Sequence, residues 1–133
     1  MMLFTYGMLL DRAYMVKLGA KPVGVAKLLD HRLDFCTHAT IVPCAGCGVP
    51  GAVYSVDDDL MVELDMIEGS PSYYRKHVVS VCMDGRVIDV LAYKMVRRHH
   101  GDRLPSEGYL NRIINGYRQW RIDPTHLNVW RSR

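Results

Sequence analysis

The chain opens on an apolar run, Met1 to Tyr6 (MMLFTY), that stops at Gly7, and so short a run bounded by glycine predicts a buried strand. From Asp11 to Leu18 the apolar positions Tyr14, Met15 and Leu18 fall at helical spacing, and Gly19 stands where a helix would end. Pro22 to Leu29 and Leu33 to Cys36 read as strands. Cys36 to Val49 is weakly patterned and carries Pro43, Gly46 and Gly48, so it is expected to be mostly loop. Strand character resumes over Pro50 to Val56 (PGAVYSV).

Asp57 to Ile67 predicts a helix whose first residues, Asp57, Asp58 and Asp59, complement the positive end of the helix dipole, with Gly69 just beyond its end. Tyr73 to Met83 and Arg86 to Val96 are rich in Val, Ile and Tyr. Between them lies Asp84-Gly85, the dipeptide that a two-residue hairpin turn prefers because both central residues need positive φ. Ser106 is placed to cap a last helix in which Tyr109, Leu110, Ile113, Ile114, Tyr117 and Trp120 make one apolar stripe, slightly weakened by Gly116. No internal repeat, low-complexity segment or linker interrupts this order. It predicts a single α+β domain over residues 1–133, with a curved or closed, largely antiparallel sheet and helices packed on it.

Composition agrees with a folded chain: 133 residues, 49% hydrophobic and 23% charged. No apolar run approaches the roughly 18 residues of a membrane span, and the opening run lacks a basic leader, so neither a membrane association nor a secretory signal is expected. The net charge of +3 is unevenly spread: residues 97–133 hold eight Arg against Asp102, Glu107 and Asp123. These arginines are widely spaced, as on a solvated amphipathic helix, and only Arg97-Arg98-His99-His100 is dense, in a predicted loop. The aromatics Tyr109, Tyr117 and Trp120 lie on the apolar stripe, away from Arg112, Arg118 and Arg121. No interleaved stacking face for a nucleic acid results, and no nucleic-acid partner is expected.

The position with most chemical content is Glu68. On a wheel advancing about 100° per residue from Leu60, Leu64, Met61 and Ile67 fall at about 40°, 100° and −20°. Glu68 falls at about 80°, inside the apolar stripe, whereas Glu63 and Asp65 flank it and reach water. A carboxylate held there without a cationic partner has its pKa raised by desolvation, toward the neutral range where a general acid/base works best. The competing reading is fraying, since Glu68 sits in the last turn beside Gly69; the wheel leaves both open. A second feature is Tyr6-Gly7-Met8-Leu9-Leu10, which joins the first strand to a helix through glycine. Such a junction aims unbonded N–H groups over the strand end, where an anion or a developing oxyanion is favoured.

Taken in order, Tyr6 to Leu10 (YGMLL), Val49 to Val56 (VPGAVYSV), Leu64 to Gly69 (LDMIEG), Tyr73 to Arg75, and Pro105-Ser106 with Tyr109-Leu110 make the chain resemble the gamma-glutamylcyclotransferase-like family, of the gamma-glutamylamine cyclotransferase type. The resemblance covers nearly the whole chain and implies a small, mixed, largely antiparallel β-barrel-like sheet with packed helices and a cavity at one end. It implies that Glu68 is the acid/base, that Tyr6, Gly7, Met8, Leu9 and Leu10 hold the gamma-glutamyl group, and that Tyr74 lines the pocket. The implied reaction is attack of a gamma-glutamyl α-amine on its own γ-amide carbonyl, releasing 5-oxoproline and an amine or amino acid; no cofactor is expected, and the composition read above predicts a cytoplasmic protein. Many members carry Ser or Thr where this chain has Met8; a thioether is a poor substitute for a hydroxyl, although backbone donors survive the change. The alternative is a non-catalytic protein that binds a small anionic metabolite in the same cavity.

Two further clusters are candidates. Cys44 and Cys47 form one C-x-x-C, with Cys36 and His38 upstream, a set from which a zinc site can be drawn. A second tight pair is lacking and no metal is assigned; without a secretion signal all four cysteines are expected to be thiols, with Cys82 a small buried apolar residue of the hairpin. Neighbouring arginines oppose protonation of His99 and His100, and these two are expected to be solvated. His126 is a third candidate ligand or base.

Overall fold

The computed structural model describes residues 1–96 and 104–131; Arg97 to His100, the dense basic segment, lies outside them. Five strands close into a barrel in the order β1-β3-β2-β4-β5. Strand β1 (Met2–Thr5) is the opening apolar run. Leu3, Phe4 and Thr5 are all buried, because β1 is paired on both edges: antiparallel to β3, with Thr5 opposite Ala52, and parallel to β5, with Leu3 opposite Leu91. A 3-10 turn (Met8–Leu10) then leads into α1 (Arg12–Leu18), which ends on Gly19 at φ 109°.

Strands β2 (Lys21–Cys36) and β3 (His38–Ser55) form a long antiparallel hairpin around Thr37. This corrects two expectations. The two short strands expected over Pro22–Leu29 and Leu33–Cys36 are one, running through Asp30 at φ 56°. The segment expected to be loop, Cys36 to Val49, is mostly strand. Leu29 pairs with Gly48 and His31 with Pro43, so Cys44 to Cys47 bulge outward against Asp30, whose Oδ1 accepts from the Gly46 N–H at 3.0 Å. Pro43, Gly46 and Gly48 lie in or beside that bulge, which is where sheets tolerate such residues, and on either side the pairing continues.

The bulge also corrects the expectation of four thiols. Cys44 and Cys47 are joined in a disulfide, while Cys36 and Cys82 remain thiols. Cys82, expected to be buried, is half-buried. Among the described residues no group of three or more His, Cys, Asp or Glu is placed to hold a metal ion.

Helix α2 (Asp58–Glu68) is capped by the Asp57 carboxylate, which accepts from the Leu60 N–H at 2.8 Å, and closes on Gly69. Leu60, Met61 and Leu64 are buried, whereas Ile67 is 37% exposed. Strands β4 (Tyr74–Met83) and β5 (Arg86–Met95) pair in register across Asp84-Gly85, at φ 53° and 75°, as a two-residue turn demands. Helix α3 (Glu107–Gln119), capped by Ser106, buries Leu110, Ile113, Ile114 and Tyr117. A last 3-10 turn (Thr125–Trp130) adds Leu127 to the same core, and there His126 Nε2 lies 3.2 Å from the buried Tyr117 hydroxyl. No helix among the described residues is long and apolar enough to cross a membrane.

Candidate active site

The segment leaving β1 is fixed from below by side chains distant in sequence. The Leu10 carbonyl accepts from the Tyr54 hydroxyl and from Trp120 Nε1, both at 3.1 Å. Next to it, Asp11 caps α1 by accepting from the Tyr14 N–H at 3.2 Å, and accepts from Gln119 Nε2 at 3.1 Å. Gly116 of α3 sits against this corner, since a Cβ there would come within 3.3 Å of the Leu10 and Asp11 backbone. The glycine that weakens α3 by propensity is thus the one that lets α3 pack on the turn.

With its lower half held, the turn presents its upper half to a cavity of about 420 Å³. Leu10 N–H bonds to Gly7 O at 3.1 Å and Asp11 N–H to Met8 O at 3.3 Å, so the turn's own bonds leave out the N–H groups of Gly7, Met8 and Leu9. Tyr6, Gly7, Met8 and Leu9 line the cavity together with Glu68 and Tyr74 from the far side. Leu10, also expected at the site, is fully buried in the core instead and contributes its carbonyl to the anchoring.

The inner wall is apolar in character because its hydroxyls are already committed. Tyr6 donates to the Tyr93 carbonyl at 2.5 Å, Tyr74 to the Ala39 carbonyl at 2.5 Å, Thr5 to the Ala52 carbonyl at 2.9 Å and Tyr93 to Asp65 Oδ1 at 2.6 Å. Burial raises the pKa of Tyr6, Tyr74 and Tyr93, and pushes Tyr109 up to about 12, so all four remain protonated donors near neutral pH. The Glu68 charge adds to each of these shifts, which places the carboxylate among the four rings.

Glu68 itself is half-buried at the last turn of α2. It makes no hydrogen bond or ion pair with any described residue, and desolvation alone raises its pKa from 4.5 to about 7. Of the two sequence readings, the inward-facing carboxyl is the observed one, and fraying into bulk solvent is not. Asp65, expected to reach water, is instead half-buried, accepting from Lys76 Nζ at 2.7 Å as well as from Tyr93.

Several lining residues carry no signal in the sequence. Tyr93 reaches the site because β5 pairs with β1, and Tyr109, read as part of the α3 stripe, lies half-buried at the cavity, accepting from the Ala39 N–H at 3.0 Å. His38, a candidate zinc ligand by spacing, sits at the cavity mouth with Nδ1 2.8 Å from the Tyr73 hydroxyl. Only the start of β3, hidden in the expected loop, determines that position.

A closed five-stranded barrel whose cavity is lined by the Gly7 turn and by the Glu68 carboxyl defines a small α+β protein with a pocket built between its first strand and its middle helix. The chain belongs to the family described as "Gamma-glutamyl cyclotransferase, AIG2-like", whose model matches residues 3–111. Over 46 residues it is 39% identical to a protein of Methanocaldococcus jannaschii described as a "putative gamma-glutamylcyclotransferase"; the match spans 34% of this chain and only 38% of that relative's length. Among solved structures it is similar to one titled "Gamma-glutamyl cyclotransferase", with TM-score 0.87 and 24% identity, covering 99% of this chain and 88% of the other. An uncharacterized protein from Homo sapiens superimposes with TM-score 0.86 at 25% identity, with the same coverage of 99% and 88%. A mouse AIG2-like protein is more distant, at TM-score 0.64 and 21% identity, over 74% of this chain and 79% of the other.

Proposed function

We propose that the protein is a lactam-forming cyclotransferase acting on gamma-glutamyl amides, with Glu68 as the proton-transfer group. The nucleophile belongs to the substrate, so the protein needs no Ser or Cys triad. Its task is to curl the gamma-glutamyl chain so that the α-nitrogen approaches the γ-carbonyl carbon, and to move two protons. The ionised Glu68 carboxylate takes a proton from the α-ammonium; the amine nitrogen then forms the new C–N bond. As the tetrahedral intermediate collapses and its oxyanion re-forms the C=O bond, the neutral carboxyl gives its proton to the departing nitrogen and the old C–N bond breaks. The regenerated carboxylate then takes the second proton from the ring nitrogen and passes it to the released amine, which leaves as an ammonium. The products are 5-oxoproline and an amine, and no water is consumed.

The observation that carries this reading is the unpartnered Glu68 carboxyl with its pKa at about 7. Raising the carboxyl from 4.5 to about 7 lowers the cost of taking a proton from the substrate α-ammonium by roughly 3–4 kcal/mol. The N–H groups of Gly7, Met8 and Leu9 are suited to the substrate carboxylate or to the carbonyl oxygen as it gains charge, and this holds with Met8 in place of a hydroxyl residue. Tyr6 and Tyr74 shape the wall against which the gamma-glutamyl chain folds.

The test is release of 5-oxoproline from a panel of gamma-glutamyl amides by the wild type and by Glu68→Gln, which keeps the shape and removes the proton transfer. Loss of roughly 10²–10⁴ in kcat is expected for the variant; undiminished release by it refutes the assigned role. A panel silent with the wild type, together with thermal stabilisation by a small anionic metabolite, supports the non-catalytic binder instead.

A further inference from the structure

The bulge that separates the two halves of β3 carries chemistry that the cavity does not use. Between the pairs Leu29–Gly48 and His31–Pro43, Asp30 alone stands opposite four residues, Cys44 to Cys47. Pro43, Ala45 and Gly46 are exposed and the two cysteines are half-buried, so the Cys44–Cys47 disulfide lies at the surface of the barrel. Both of its ends belong to β3, and it encloses only Ala45 and Gly46. A bond that closes so short a loop ties no second element into the fold, unlike the long-range disulfides that staple small domains.

The conformation that brings the two sulfurs together has supports of its own. Asp30 stands at φ 56° and Gly46 at φ 78°, both left-handed, and the Asp30 carboxylate accepts from the Gly46 N–H at 3.0 Å. The β2–β3 ladder resumes on each side of the bulge. The Cys44 and Cys47 Cα atoms are 5.4 Å apart, within the range a disulfide needs. Opening the bond breaks none of these hydrogen bonds, so both thiols stay on one backbone, placed to close again.

A cation lies next to the pair. The Lys27 stem crosses Gly48, the neighbour of Cys47, so closely that a Cβ on Gly48 would overlap Lys27 Cε, with the ammonium one bond further on. Such a charge favours a sulfur that departs as a thiolate, the step on which exchange depends. The opposing charge, the Asp30 carboxylate, is engaged by the Gly46 N–H. The other cysteines differ: Cys36 is buried, and Cys82 is a thiol opposite Lys27 on β4.

We propose that Cys44–Cys47 in the β3 bulge is a reversible thiol–disulfide exchange site for dithiols, separate from the cavity and independent of the reaction assigned to it. A thiolate of the dithiol attacks one sulfur of the pair; the S–S bond breaks, a mixed disulfide forms, and the other sulfur leaves as a thiolate and takes up a proton. The second thiol of the reductant, deprotonated, then displaces the remaining protein sulfur, which is protonated in turn. Two electrons pass to the protein, which ends with two thiols, and the dithiol ends as its own disulfide. The reverse sequence closes the pair.

The full chain is treated with dithiothreitol, folded and in denaturant, and quenched by alkylation, with Cys44 and Cys47 followed apart from Cys36 and Cys82 by peptide mass. Opening of the bond in the folded protein is expected within about tenfold of its rate in the unfolded chain, and a slower rate overturns the proposal. Oxidised glutathione is expected to close the pair again; a pair that stays open overturns it. The circular dichroism of the folded state is expected to survive reduction, whereas its loss marks a structural staple and counts against an exchange site. A reduced C-x-x-C protein at the same dithiol concentration tells a protein source from a small one by whichever opens the bond faster, and either order supports the site. Lys27→Gln is expected to slow opening severalfold, with Lys27→Arg restoring most of the rate. Equal rates in all three proteins overturn the part assigned to Lys27.

Discussion

Asp65 and Glu68 lie one turn apart on α2 and both face inward from its flank, yet Asp65 is held by Lys76 at 2.7 Å and by the Tyr93 hydroxyl at 2.6 Å, while Glu68 has no hydrogen bond or ion pair among the described residues. The partnered one joins α2 to β4 and β5, and the other lies desolvated among four tyrosines, which suits the proton-transfer role proposed for it.

The proton-transfer role fixes the sign of a pH profile. The ionised form of Glu68 accepts the first proton, and it becomes the majority form above about 7. Therefore kcat/KM for lactam release is expected to fall as pH drops through about 7, and this limb is expected to vanish in whatever residual activity Glu68→Gln retains. A limb near 4.5 in the wild type contradicts the desolvated environment assigned to the carboxyl.

The same shift has a consequence for folding. The folded protein binds the Glu68 proton more tightly than the unfolded chain, so this group contributes stability below 4.5 that is lost as pH rises from 4.5 to about 7. Glu68→Gln is neutral throughout that window. Its melting temperature is expected to exceed that of the wild type at pH 8, with the difference shrinking toward pH 5, in line with the usual opposition between stability and active-site function. Thermal melts of both proteins across this range check the sign.

Asp65→Asn is expected to behave in the opposite way. It weakens the contacts to Lys76 and Tyr93 and lowers stability by roughly 1–3 kcal/mol, while 5-oxoproline release per folded molecule stays within a few fold of wild type. Chemical denaturation together with activity normalised to folded protein distinguishes this from a loss of chemistry.

Gly51, in the PGAVYSV segment, sits where β3 crosses β1. A Cβ there would come within 2.2 Å of the Thr5 carbonyl oxygen and 2.6 Å of the Phe4 ring. Since the nearest atom is backbone, the strands must part, and Gly51→Ala is expected to destabilise by about 3 kcal/mol. Gly116→Ala, at 3.3 Å from Leu10 and Asp11, is expected to be milder in denaturation yet to disturb the Gly7 turn, seen as a weaker apparent affinity for substrate.

Much of this molecule was legible in its residues because the signals are local. The opening run, the Asp57 cap with Gly69, the Asp84-Gly85 turn and the Ser106-capped stripe each follow from φ preference, capping or periodicity, which act over a few residues. The same angular arithmetic put Glu68 on the apolar stripe of α2 but left fraying of its last turn open, which packing decided, and the ordered motifs carried the family. Cys36 to Val49 failed as a loop because Pro43, Gly46 and Gly48 mark one outward bulge inside a strand whose pairing with β2 is continuous on both sides. The pairing of β1 with both β3 and β5, the turn of Leu10 into the core beneath Tyr54 and Trp120, and the meeting of His38, Tyr73 and Tyr109 at the cavity mouth were decided only by tertiary structure. Barrel closure joins residues tens of positions apart, and no local preference for φ, burial or charge encodes which distant edge a strand will meet.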